Sequence, residues 1–155
     1  MGFARQAFDG ALGGFGGTLV LTAFREALVR VGAVGTSAPQ QVVSRLEELG
    51  LVDDWSPGAR RVLVAAAHIS YGVGIGAVMG LLRRESGSKV GEVAAGTALG
   101  LLAWGAGWAA WLPLTGVDLP PWKEPTPKVL LPVLDHIVFG AAWGLLYKLV
   151  RPDRG

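Results

Sequence analysis

Three stretches of the chain lack charge for about the length a bilayer demands: Val62 to Leu82 between Arg61 and Arg83, Val93 to Val117 between Glu92 and Asp118, and Val129 to Tyr147, interrupted only by Asp135 and His136. At about 1.5 Å per residue each can cross roughly 30 Å of hydrocarbon. A further apolar run, Gly10 to Phe24, is too short alone, so its helix is predicted to extend from about Phe3 through Val31 and to carry Arg25, Glu26 and Arg30 in its last turns. Glu26 and Arg30 are four apart and can pair on one face. The segment Gly35 to Pro57 is polar, and within it Ser37 can cap a helix over 38–49 whose Val42, Val43, Leu46 and Leu49 follow amphipathic spacing. That pattern predicts a helix lying on the membrane surface. Asp53 to Gly58 reads as a turn, Arg60-Arg61 as the opening of the second span, and Pro113 as the end of the third. A loop with Pro120, Pro121, Pro125 and Pro127 leads into the fourth, which stops at Arg151-Pro152. The expected fold is all-α: an integral membrane four-helix bundle with spans 5–31, 61–82, 91–112 and 129–150, plus the short interfacial helix.

An internal repeat refines that picture. His68-Ile69-Ser70-Tyr71-Gly72-Val73-Gly74-Ile75-Gly76 matches His136-Ile137-Val138-Phe139-Gly140-Ala141-Ala142-Trp143-Gly144 in the form His-Ile-x-aromatic-Gly-x-small-x-Gly. The helices before them are both glycine-rich, with Gly13 and Gly17 set against Gly96 and Gly100. The chain is therefore expected to be two tandem helical hairpins related by an axis along the membrane normal, with both histidines at one depth. Gly72, Gly76 and Gly80, like Gly140 and Gly144, recur at four-residue steps. Such small-residue faces let helix backbones approach closely in lipid, so they are predicted to form the bundle seams, in the manner of a glycine zipper.

Composition supports a membrane setting and excludes several functions. Of 155 residues 51% are apolar and only 17% charged, and the mean hydropathy is +0.44, which argues against a water-soluble domain. A net charge of +2, with basic groups scattered, offers no concentrated phosphate-binding surface, so nucleic acid is not an expected partner. The absence of cysteine removes disulfides, thiolate nucleophiles and cysteine metal sites. Arg25 and Glu26 follow the first apolar run where a signal-peptide cleavage site would need small residues, so that run is read as a retained first helix. Ten arginines against four lysines, with many alanines and glycines, suit a bacterial, GC-rich coding sequence. Lysines and arginines divide evenly between the two sides. Cytoplasmic termini are favoured because the basic groups on that side sit in short flanks.

Candidate chemistry concentrates in one layer. His68 and His136 extend the glycine seams by one four-residue step, so each imidazole should face another helix. Arg25, Glu26 and Asp135 fall at similar depth, giving a predicted intramembrane polar layer of Arg25, Glu26, His68, Asp135 and His136. Ionisable groups in hydrocarbon are expensive and usually paired, so the leading reading is structural, with Arg25 bonded to Asp135 or Glu26. The alternatives are a proton or ion path and a bis-histidine site for haem b. Glu92 is expected to be a solvated charge at a helix start. Trp104, Trp108 and Trp111 form a stripe on the third span, with Trp108 and Trp111 expected as interfacial aromatics and Trp104 deeper, where its indole N–H would want a partner. No catalytic triad, phosphate loop, metal-hydrolase motif or coenzyme fingerprint occurs, so no catalytic residue, no metal and no enzymatic activity are expected.

The run from His68-Ile69-Ser70-Tyr71-Gly72 through Leu82, the segment Gly107-Trp108-Ala109-Ala110-Trp111-Leu112-Pro113-Leu114-Thr115-Gly116, and Asp135-His136-Ile137-Val138-Phe139-Gly140 resemble the bacterial YagU-like family of small multi-pass inner-membrane proteins of unknown function. The resemblance covers essentially the whole chain. It implies an inner-membrane location and brings no catalytic residues. The expectation is then an accessory or structural membrane component without a bound cofactor, acting by helix packing and by association with itself or a membrane-protein partner in the lipid bilayer.

Overall fold

In lipid every backbone N–H and C=O must be bonded within the protein, which leaves long apolar segments little choice but helix. The computed structural model describes residues 2–32, 36–83 and 88–151. Along the chain run α1 (Phe3–Arg30), α2 (Ala38–Glu48), α3 (Pro57–Leu82), α4 (Lys89–Ala106), a π-helical turn (Gly107–Trp111), the single turn α5 (Leu112–Leu114), a 3₁₀ turn (Pro121–Lys123) and α6 (Thr126–Val150). Among the described residues, four helical stretches are long and apolar enough to cross a bilayer: Phe3–Arg30, Pro57–Leu82, Lys89–Leu114 and Lys128–Val150. Large apolar side chains such as Val62, Val78, Leu82 and Leu102 stand exposed on them, as lipid contact requires.

Local chemistry sets the ends of the spans. α3 begins at Pro57, earlier than the Arg60-Arg61 start expected, because Ser56 caps it: the Ala59 N–H donates to Ser56 Oγ at 3.2 Å, and Pro57 occupies a first-turn position that needs no donor. The third span runs past Pro113 to Leu114 through the π turn. Proline lacks an N–H and its ring presses on the carbonyl four residues back, and here the backbone widens just before it, with the Leu112 N–H donating to the Gly107 carbonyl.

The spans pack as the two predicted hairpins, α1 on α3 and α4 on α6. α1 also packs along α6, whereas the consecutive helices α3 and α4 barely touch, so the bundle is ordered α3, α1, α6, α4 with a gap between its ends. Both seams are built on glycine. A β-carbon at Gly76 would lie 2.5 Å from Gly14 Cα, and one at Gly96 would lie 3.0 Å from Gly144 Cα. The register within the repeat differs from the sequence expectation. Gly10 and Gly14, not Gly13 and Gly17, face α3, so Gly14 is the counterpart of Gly96 and Thr18 the counterpart of Gly100. Gly13 and Gly17 lie about 100° round the helix and receive α6 instead, where Trp143 and Phe139 fill the space their missing side chains leave.

Trp143 is fully buried, stacks on Tyr147 at 4.6 Å and donates its indole N–H to the Gly10 carbonyl at 2.9 Å. With Leu21, Met79 and Phe139 these rings close the middle of the bundle. An ionic layer lies on the side of the termini: Arg151 reaches Asp9 at 3.7 Å and bonds the Tyr147 hydroxyl, while Arg83 donates to Glu92 at 2.7 Å. Glu92 is therefore not the solvated charge expected at a helix start, since it is only 3% exposed. Gly144 admits the start of α4 against α6, and Arg83 folds back from the end of α3 to cover the carboxylate.

Candidate functional site

Helix rise brings the opposite polar layer together. His68 lies eleven residues into α3 and His136 ten into α6, so both sit about 15 Å along helices that start on the same side. Arg25, near the end of α1, meets Asp135 in a hydrogen-bonded ion pair whose side chains are 16% and 8% exposed. The second carboxylate oxygen, Asp135 Oδ1, is buried and has no hydrogen-bond partner among the described residues. His136 is held by its own helix: Nδ1 donates to the Pro132 carbonyl at 2.8 Å, and the ring meets Trp108 edge-on at 6.0 Å. Because a carbonyl can only accept, Nδ1 carries the proton, and the neutral ring keeps a lone pair on Nε2. Glu26 does not join this group. One residue on from Arg25, it points about 100° away, with its side chain 61% exposed and 3.7 Å from Arg30.

Arg25, His68, Asp135 and His136 share the wall of one chamber of about 210 Å³. It fills the gap between α3 and α4, and every spanning helix contributes to it, together with the first turns of α2. Apart from those four residues its wall is largely aromatic and aliphatic, with Tyr71, Trp108, Trp111 and Phe139 prominent. Tyr71 of α3 and Trp111 of the π turn approach to 6.2 Å across the gap. The π turn itself lines the chamber, and its first residue, Gly107, leaves room for the Tyr71 hydroxyl, which would lie 3.6 Å from a β-carbon there. A more polar recess of about 270 Å³ adjoins it, sharing Arg25, Ala38 and Trp108 and edged by Gln41, Asp118 and Lys128. Arg25 thus stands between the apolar chamber and the polar recess, while its partner Asp135 lines the chamber.

The other residues singled out from the sequence are distributed as follows. Gly72, Gly76, Gly80, Gly140 and Gly144 all lie in the intramolecular seams. Trp108 turns inward to His136, and Trp111 stands at the chamber wall with 36% of its surface exposed. The more exposed tryptophans are Trp122 and Trp55, on the loops. The Trp104 indole N–H is buried with no partner among the described residues. Sequence reasoning missed Thr18, Tyr71 and Gly107 as wall residues, although Pro113 following Trp111 was a legible signal of an irregular turn. Among the described residues, no three side chains of the His, Cys, Asp and Glu types come together as a metal site. No family model, curated protein or solved structure matches this chain.

Proposed function

We propose that this protein is a non-enzymatic component of a bacterial inner membrane, with both termini cytoplasmic, that works by binding a small apolar molecule drawn from the bilayer. The chamber between α3 and α4 carries this reading. An apolar protein cavity of about 150 Å³ is enough to bind benzene, and at about 210 Å³ this one has room for a substituted ring. A porphyrin, with several times the ring area, would require the helices to part, which favours a single ring over haem. The resemblance to the YagU-like family is consistent with the location and is silent on the ligand.

Two observations favour binding over the alternatives. Leu21, Met79, Phe139 and Trp143 form an apolar plug between the chamber layer and the ionic layer of Asp9 and Arg151, so among the described residues the polar groups make no continuous path for protons or ions. The seam glycines Gly72, Gly76, Gly80, Gly140 and Gly144 are consumed within one chain, so association with a second copy or another membrane protein would have to use the lipid-facing surface, where Gly74 and Gly105 lie open.

The test is tryptophan quenching by bromobenzene in lipid nanodiscs. Wild type is expected to show a saturable component, which Ala103→Phe, filling the chamber wall, abolishes while leaving the melting temperature within a few degrees. Quenching that rises linearly without saturation, or that Ala103→Phe leaves unchanged, would overturn the binding reading.

A further inference from the structure

The polarity of the chamber wall narrows the ligand. His136 is fixed as a donor through Nδ1 to Pro132, which leaves Nε2 as an acceptor in the neutral ring. Its ring packs against Trp108 and lines the chamber. In the same layer, among the described residues, Asp135, 6% exposed, keeps one oxygen without a partner, and His68 has no hydrogen bond and offers one N–H and one lone-pair nitrogen when neutral. The charges of Arg25 and Asp135 cancel in their ion pair. A charged ligand would bring an uncompensated charge into this apolar space, at high cost. A neutral hydroxyl, in contrast, supplies a donor to the acceptors left open at this depth, His136 Nε2 and Asp135 Oδ1, and can accept in turn from a neighbouring N–H or O–H of the wall. The remaining wall, with Tyr71, Trp108, Trp111 and Phe139, suits the faces and edges of a planar ring.

We infer that the chamber selects neutral ring compounds bearing a hydroxyl, the phenol and hydroquinone class, and that His136 Nε2 accepts the hydroxyl proton in a hydrogen bond. This rests on the chamber being a binding site at all, and the experiment separates the two statements. 4-Propylphenol and 4-propylanisole have the same ring and chain, but the ether can only accept a hydrogen bond. Each is used to displace bromobenzene from wild-type protein in nanodiscs, with concentrations expressed per mole of lipid. The phenol is expected to displace at about tenfold lower concentration, the preference that one buried hydrogen bond supplies.

His136→Phe keeps a ring of similar size, and it should bring the two probes to within about twofold while bromobenzene still binds. The wild-type ratio decides the matter even if that variant fails to fold. Equal displacement, tighter binding of the ether, or no displacement by either probe where bromobenzene binds saturably would overturn the hydroxyl inference and leave the binding reading standing. Absence of saturable bromobenzene binding would overturn both.

Discussion

Replacing Gly76 with alanine adds a single carbon where α1 and α3 pack backbone to backbone. That carbon would lie 2.5 Å from Gly14 Cα and 2.6 Å from the Gly10 carbonyl oxygen. Carbon atoms rest about 3.5–4.0 Å apart, so the helices must separate by about 1 Å. The obstructing atoms are backbone and cannot rotate away. Overpacking of this kind costs about 1–3 kcal/mol, and rigid neighbours argue for the upper end. Alanine's better helix propensity returns up to about 1 kcal/mol, leaving a net loss of about 2 kcal/mol.

Gly74 is the internal control, two residues away on the same helix, because a β-carbon there meets nothing within 4 Å. Gly74→Ala should be neutral or stabilising by up to about 1 kcal/mol, so the two variants should differ by about 3 kcal/mol. Gly144→Ala in the second hairpin should behave like Gly76→Ala, its new carbon lying 2.8 Å from the Glu92 carbonyl carbon. Unfolding of the purified protein in mixed detergent micelles, followed by tryptophan emission, measures all three. Gly76→Ala and Gly74→Ala agreeing within about 0.5 kcal/mol would refute the close-packed seam, since the argument depends only on which face of α3 meets α1.

The ion pair of the chamber wall should follow the logic of a buried pair. Arg25→Met alone leaves Asp135 buried without its cation and should cost about 3–5 kcal/mol, whereas Arg25→Met with Asp135→Leu should recover most of that loss. Additive losses in this double-mutant cycle would mean that the two side chains do not pair in the membrane. Four spans return the chain to its starting side, so reporter tags fused at the two ends should read from the same compartment. Opposite readings would remove one span, and α1, with Arg25, Glu26 and Arg30 in its last turns, would be the first to re-examine.

Much of this architecture is written in the sequence because the bilayer imposes a one-dimensional constraint. Backbone groups must be bonded locally and apolar length must match the hydrocarbon, so long apolar runs, the last broken only by Asp135 and His136, reveal α3, α4 and α6 directly. The repeat around His68 and His136 likewise places both rings at one depth, because depth along a helix follows from residue number alone. Azimuth does not. α1 carries glycine on two faces about 100° apart, and nothing local says that Gly10 and Gly14 receive α3 while Gly13 and Gly17 receive α6. The same missing angle hid the outward turn of Glu26, the inward turn of Trp108 and the burial of Glu92 beneath Arg83. The chamber is still further from the sequence. It exists because α3 and α4, adjacent in the chain, diverge once α1 and α6 have packed, and because Pro113 widens the turn that faces the gap. An empty volume belongs to no residue, so only the tertiary arrangement of the helices could decide it.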